Sequence, residues 1–124
     1  MLQLRTIMDA ADNTGAKQLE LIGIPGHGNK LVAHLGDIVK CVVKKAIPTG
    51  MVKEHEKVFV VIVRTRRSIR RNDGSIIRFD DNAGVILENV EEKLPKGTRI
   101  FGPIAREIKD LGFNKIASMA QEVY

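Results

Sequence analysis

Hydrophobic and polar positions alternate along most of this chain in short stretches, which clusters of Gly, Pro, Asn and Asp separate. Alternation with a period of two is typical of β-strands that bury one face. The stretch 58–63 is apolar at every position, which indicates a strand buried on both faces, as in a small barrel. The pattern predicts extended segments at residues 2–8, 17–24, 37–46, 58–64 and 84–87.

A hairpin is predicted between the fourth and fifth of these segments. Residues 64–71 and 76–79 flank the sequence Asn72-Asp73-Gly74-Ser75. An Asp-Gly pair between two extended runs is a strong signal for a tight β-hairpin turn.

The C-terminal part has a helical pattern instead. Ile104, Ile108 and Leu111 recur at i, i+4 and i+7, which places them on one face of a helix. Pro103 suits the first helical position and Gly112 suits a left-handed end. We predict a helix over 103–111 that docks its isoleucine face on the barrel, with one more short turn within residues 115–123. The fold class is therefore mainly β: a single domain, residues 1–124, with a barrel and a helical appendage at about 103–124.

The charge is concentrated in the predicted hairpin. The chain carries 20 Lys and Arg against 15 Asp and Glu, a formal net charge of +5. Residues 64–78 hold six arginines and one acid, so this window accounts for the whole excess. Arginine recognises phosphate through a planar, bidentate guanidinium. The clustering therefore favours a polyanionic partner over a basic ribbon that only maintains solubility.

Features of an enzyme or a metal protein are not found in the sequence. His27, His34 and His55 are scattered, and the single cysteine, Cys41, lies in an apolar strand pattern that indicates a buried, inert thiol. Asp80 and Asp81 are adjacent, so they point to opposite faces of an extended segment and are better explained as a solvated surface. We expect no catalysis, no cofactor and no metal. The longest apolar run is also far too short for a membrane span.

Two rival classes share part of this pattern. A free-standing nucleic-acid-binding barrel, such as a translation factor or regulator, would have the basic hairpin but also aromatic stacking platforms. The aromatic content is only 4%, and Phe59 is expected in the core. A small nuclease would need a convergent cluster of acids, histidines or metal ligands. Recognition of structured RNA through phosphates, 2′-hydroxyls and shape fits better.

Four blocks of this sequence resemble the family of universal large-subunit ribosomal protein fourteen. The family signature corresponds here to residues 61–63, Asp73-Gly74, Phe79, Asn82 and residues 85–86, with Val60 at a position where the family usually has a small residue. The other blocks are the turn at 11–16, the basic hairpin (64–66 with 70–71), and the C-terminal block at 95–107.

This resemblance implies a five-stranded β-barrel with a protruding β-ribbon and a C-terminal segment with short helices. It also implies a non-enzymatic constituent of the large ribosomal subunit that binds its rRNA and lies at the face meeting the small subunit. Implied partners are ribosomal protein nineteen of the bacterial large subunit, small-subunit rRNA through intersubunit bridges, and a ribosome-silencing factor. A bacterial cytoplasmic ribosome is the simplest setting, since the short N-terminus needs no processing, and a mitochondrial or plastid ribosome is the alternative.

The hairpin arginines are the first candidates for phosphate contacts, and other basic residues beside turns and in the C-terminal block are secondary ones. Arg99 and Arg106 could instead pair with Glu107 or Asp110. Asp12, Asn13 and Gly15 are interpreted as turn-forming. The candidate RNA-binding residues are Arg64, Arg66, Arg67, Arg70, Arg71, Arg78, Lys44, Lys45, Lys53, Lys17, Lys30, Lys96, Arg99 and Arg106.

Overall fold

The computed structural model describes residues 2–25 and 32–124. Within them, the elements in chain order are β1 (Leu2–Gln3), β2 (Ile7–Ala10), β3 (Ala16–Gly23), β4 (Val32–Ala33), β5 (Ile38–Ala46), β6 (Lys57–Arg64), β7 (Ile69–Arg70), β8 (Ile76–Ile77), β9 (Ala83–Asn89), β10 (Leu94–Pro95), β11 (Pro103–Ile104), α1 (Arg106–Asp110), α2 (Asn114–Met119) and β12 (Glu122–Val123). No helix among these is long and apolar enough to cross a membrane.

Five strands close into a barrel, as predicted. The order is β2-β3-β5-β6-β9, with antiparallel neighbours throughout. A parallel pairing of β9 with β2, through Asp9–Ala83 and Ala10–Gly84, completes the circle. The short strand β10 pairs with the end of β9, at Leu87 and Asn89, beyond the positions that pair with β2.

Strand β6 is buried on both faces, and the C-terminal segment explains why. Val60 and Ile62 point into the barrel, where they pack with residues such as Leu19 and Cys41. Val61 and Val63 point outward into a second apolar layer, formed with residues such as Phe113 and others of the C-terminal segment. The barrel therefore has an inner core and an outer core that share β6 and β9.

The predicted helix over 103–111 begins too early. Pro103–Ile104 forms β11, which pairs in parallel with β12, and α1 starts only at Arg106. Gly102 has φ +77°, and Ala105 donates its N–H to the carbonyl of Val63 on β6. The left-handed Gly102 precedes Pro103–Ile104 and the bond from Ala105 follows it, so these two residues stay extended against the barrel.

Details of the predicted helix face and end also differ. Ile104 and Ile108 are fully buried, as expected, but Leu111 is 48% exposed. Gly112 does have a left-handed backbone, and a second helix, α2, follows it. Phe59 was expected in the core but is 39% exposed on the outside of the barrel.

Candidate nucleic-acid interface

The arginine-rich segment folds as the predicted hairpin. Ile69 pairs with Ile77 and Arg70 with Ile76. Closer to the barrel, the N–H of Phe79 donates to the carbonyl of Thr65 at 3.1 Å. The hairpin therefore begins where β6 ends and returns to the start of β9.

The turn of the hairpin is fixed by Asp73 and Gly74. Asp73 Oδ1 accepts hydrogen bonds from both the N–H and the hydroxyl of Ser75, at 2.9 and 2.6 Å. These bonds, the hydroxyl first, lower the pKa of Asp73 and keep it ionised. Gly74 has φ +89° with open space around it, so the turn requires glycine for its backbone and not for lack of room.

Four hairpin arginines present their side chains to solvent: Arg66, Arg67, Arg70 and Arg78. Within residues 2–25 and 32–124, none of the four forms a salt bridge. The backbone at the base is held in place, because the N–H of Arg66 donates to Asn82 Oδ1 at 2.8 Å. The hairpin thus displays four uncompensated guanidinium groups on a defined backbone.

Arg64 is engaged inside the protein. Its Nε and Nη2 donate to the two carboxylate oxygens of Asp81, at 3.0 and 3.1 Å. Its Nη1 donates to the carbonyls of Phe101 and Pro103, at 2.8 and 3.0 Å. The residue is only 8% exposed, so it ties the hairpin base to the segment before β11. The interpretation of Asp81 as part of a solvated surface is therefore wrong, because Asp81 is the ion-pair partner of Arg64.

Arg71 is also paired within the protein. Its Nε lies 2.8 Å from Glu107 Oε1 on α1. Arg106, the neighbour of Glu107, has Nη2 at 4.0 Å from Asp73 Oδ2, and both of these side chains are largely exposed. Arg106 therefore does pair with an acid, but the partner is Asp73 and not Glu107 or Asp110.

The secondary candidates lie in two other places. Four lysines lie near one end of the β3–β5 pair and in the loop that follows it: Lys17, Lys44, Lys45 and Lys53. Lys44 Nζ forms an ion pair with Glu20 at 3.2 Å. Lys96 is half-buried and Arg99 is exposed in the segment after β10. Lys30 lies outside the described residues.

The N-terminal turn has a wider structural role than its sequence indicates. Asp12 is buried, and its Oδ2 accepts the N–H of Ile86 on β9 at 2.9 Å, while Oδ1 accepts the hydroxyl of Thr14 at 2.7 Å. Burial raises the pKa of Asp12, and these hydrogen bonds oppose the rise. Asn13 Oδ1 accepts backbone N–H groups from Thr98 and Arg99. The turn therefore links the barrel to the C-terminal block.

Side chains with possible chemical reactivity are dispersed. Cys41 is buried in the inner core, and desolvation raises its pKa to about 12. His34 and His55 are exposed, and His27 lies outside the described residues. In the part of the chain that the structure describes, no three His, Cys, Asp or Glu side chains are grouped to hold a metal ion.

The sequence analysis did not find Asp81 as the partner of Arg64 or Glu107 as the partner of Arg71, because no local sequence pattern marks either pair. Asp81 is 17 positions from Arg64, and its partnership depends on the return of the hairpin to the barrel. Glu107 reaches Arg71 only because α1 packs beside the hairpin tip. Asn82 was identified as a signature residue, and its bond to the N–H of Arg66 gives that position a structural reason.

A closed five-stranded barrel, an arginine-rich ribbon and a short helical cover together define a class of protein: the small basic β-barrels that suit a polyanionic partner. The sequence matches the family described as ribosomal protein L14p/L23e over residues 1–124, and the chain belongs to that family. It is accordingly a structural, non-enzymatic constituent of the large ribosomal subunit. Its surroundings in the ribosome are large-subunit rRNA and other ribosomal proteins.

Proposed function

We propose that the hairpin binds large-subunit rRNA directly, with the exposed arginines as its phosphate contacts. The observation that carries the proposal is the set of four exposed guanidinium groups, at positions 66, 67, 70 and 78, that form no salt bridge with any described residue. Phosphate contacts position a protein on structured RNA without reading its bases. A basic ribbon on a rigid barrel suits that task, because its backbone is ordered before the RNA arrives.

Arg64 and Arg71 belong to the same sequence cluster but are supporting groups in this proposal. Each has an acid within the protein, at 3.0 Å for Arg64 and 2.8 Å for Arg71. A guanidinium that is already paired gains less from a phosphate, because the existing ion pair must be broken or shared. The lysines near the β3–β5 end and the basic residues at 96, 99 and 106 form secondary contacts.

We also propose the finer placement that the family resemblance supports. The chain lies at the face that meets the small subunit, contributes to bridges with small-subunit rRNA, and contacts ribosomal protein nineteen. A ribosome-silencing factor docks on it. The setting is a bacterial cytoplasmic ribosome, with a mitochondrial or plastid ribosome as the alternative. Crosslinking of intact ribosomes with mass spectrometry tests these contacts, and an exclusively solvent-side set of crosslinks would contradict the placement.

Salt-dependent binding of the purified chain to large-subunit rRNA tests the main proposal. Each phosphate contact releases condensed counterions, so log K falls with log salt by roughly 0.7 to 0.9 per contact. Replacing Arg66, Arg67, Arg70 and Arg78 by alanine should weaken binding and make this slope shallower by about three.

A matched variant removes four positive charges elsewhere. Lys40, Lys57, Lys109 and Lys115 are exposed and lie outside the candidate set. Their replacement by alanine gives the same net charge as the arginine variant. If the two variants lose affinity and slope equally, binding follows net charge alone and the hairpin is not the interface.

A further inference from the structure

The tip of the hairpin touches the rest of the protein through an ion pair. Arg71 directly precedes the turn at 72–74, and Glu107 lies in the first turn of α1. The Arg71 and Glu107 side chains are only 13% and 29% exposed. The pair is therefore mostly removed from water, unlike the neighbouring contact between Arg106 and Asp73.

This contact is held by charge, with little other support. Arg71 Nε and Glu107 Oε1 are 2.8 Å apart, but the N–H is not directed at the oxygen as in a hydrogen bond. Arg71 Nη2 and Glu107 Oε2 are buried and have no hydrogen-bond partner among the described residues. A cavity of about 340 Å³ lies beside this pair, lined by residues of the tip and of α1, and among the described residues that line it only Ile69 is apolar. Ile69 and its strand partner Ile77 pack against the inner core, but residues 70–75 beyond them carry no apolar side chain, so apolar packing does little to hold the tip itself.

The base of the hairpin, in contrast, is fixed without Glu107. Arg64 makes four hydrogen bonds there, and Phe79 is buried and bonded to the Thr65 carbonyl. A two-stranded ribbon is marginal by itself, and this one can still change its angle beyond the Ile69–Ile77 pair, the last residues that pack against the core. The direction in which Arg70 and its neighbours point thus depends on the ion pair at the tip.

We propose that Glu107 is a positioning residue for RNA binding: its pairing with Arg71 holds the hairpin tip on α1, so that Arg70, the exposed arginine nearest the tip, faces the RNA in one fixed arrangement with the arginines at the base. This inference rests on the proposed function. When only a fraction of the molecules has the competent hairpin orientation, the apparent affinity falls to that fraction of its intrinsic value. An acidic residue here strengthens binding to a polyanion, the opposite of its direct electrostatic effect.

The sign of that effect separates the proposal from its main rival. If Arg71 were itself a phosphate ligand, Glu107 would compete with the RNA for it. Removing the carboxylate charge would then tighten binding, both by freeing Arg71 and by removing a repulsive charge. If Glu107 positions the hairpin, removing its charge weakens binding.

The test is filter binding of Glu107→Gln to purified large-subunit rRNA, beside the wild type and Asp110→Asn. Asp110 is an exposed acid on the same helix that lines the same cavity, so Asp110→Asn makes the same change in net charge and leaves the pair intact. We expect Glu107→Gln to bind about threefold to tenfold more weakly than wild type, as a loss of the competent orientation requires. Asp110→Asn should bind equally or slightly more tightly.

A charge-exchanged double variant, Arg71→Glu with Glu107→Arg, completes the test. It restores the ion pair with reversed polarity and should recover most of the affinity that Glu107→Gln loses. Melting temperatures measured in parallel show whether each variant is folded at the assay temperature. If Glu107→Gln is unfolded there, the affinity of the double variant decides whether the ion pair positions the hairpin. Unchanged or tighter binding by Glu107→Gln, or no recovery in the double variant, overturns the positioning role. A wild type that binds no better than the four-arginine variant instead overturns the proposed function and, with it, this inference.

Discussion

Asp12 shows how one buried carboxyl can join distant segments of the chain. Its two oxygens accept hydrogen bonds from Thr14 and from the N–H of Ile86, so it serves both the local turn and strand β9. The cost of burying the charge exceeds the stabilisation by these bonds, and the pKa is raised. The folded protein therefore binds the Asp12 proton more tightly than the unfolded chain does.

This pKa shift predicts how Asp12 changes stability with pH. Protonation favours the folded state, so its contribution is full below the ordinary pKa of 3.8 and is lost as pH rises through the folded value. Asp12→Asn removes the titration. The free energy of unfolding of the wild type relative to Asp12→Asn should therefore be largest in acid and should shrink with rising pH, until Asp12 is ionised in both states. Urea unfolding at a series of pH values measures this difference, and a difference that grows with pH would contradict it.

At the scale of elements, Arg64 joins three segments that meet at the base of the hairpin. Its guanidinium contacts Asp81 before β9 and the carbonyls of Phe101 and Pro103 beside β11. A Cβ atom on Gly102 would lie 2.4 Å from Arg64 Nη1, so the loop follows the guanidinium closely. Few side chains could replace a planar group with this many directed donors.

Arg64→Lys should therefore destabilise the protein although it preserves the charge. A lysine cannot keep the bidentate bond to Asp81 together with both carbonyl contacts, and it would leave these partly buried groups unpaired. We expect a loss of about 2–4 kcal/mol in the free energy of unfolding, measured by chemical denaturation. Arg78→Lys, at an exposed hairpin position, is the control and should stay within about 0.5 kcal/mol of wild type. Equal effects of the two changes would show that the Arg64 contacts are not stabilising.

The sequence predicts those elements whose signals are local. Alternation predicted β3 closely, and β-branched and apolar runs predicted β5 and β6. Asp73-Gly74 predicted the hairpin turn, because strand faces and turn conformations are determined by nearby residues. The start of the first helix was wrong because Ala105 bonds to Val63, a contact that no local pattern contains. In the same way, the arginine cluster was recognisable, but the division between exposed and paired arginines depends on Asp81 and Glu107, which are distant in sequence.

At the scale of the whole molecule, the inner and outer cores share β6 and β9. Ile108, Ile116 and Phe113 cover the outward faces of these strands, and Cys41 lies on the opposite side, inside the barrel. Detachment of the C-terminal segment would expose a continuous apolar face of the barrel. We therefore expect both cores to unfold together in a single transition.

Alkylation of Cys41 provides a measure of that coupling. Its thiol is buried and has a pKa of about 12, so it reacts only when the barrel opens. Ile116→Ala removes volume from the outer core only, and it should raise the rate of Cys41 alkylation by at least about tenfold, since such changes cost about 2–5 kcal/mol. Leu111→Ala, at an exposed position, should leave the rate nearly unchanged. A rate that Ile116→Ala does not alter would mean that the C-terminal segment opens independently of the barrel.

The parallel pairing of β2 with β9 has a consequence for the chain during its own synthesis. The bond from Ile86 to Asp12 spans 74 positions, and the strand pairing beside it closes the barrel. A nascent chain that ends before β9 has strands β2 to β6 but no means of joining the two ends of the sheet, so β2 and β6 both keep an unpaired edge. Exposed edges of this kind are sites of association between chains. The hairpin arginines are made just before β9, so the segment proposed to bind RNA leaves the synthesising ribosome before the barrel that carries it can close.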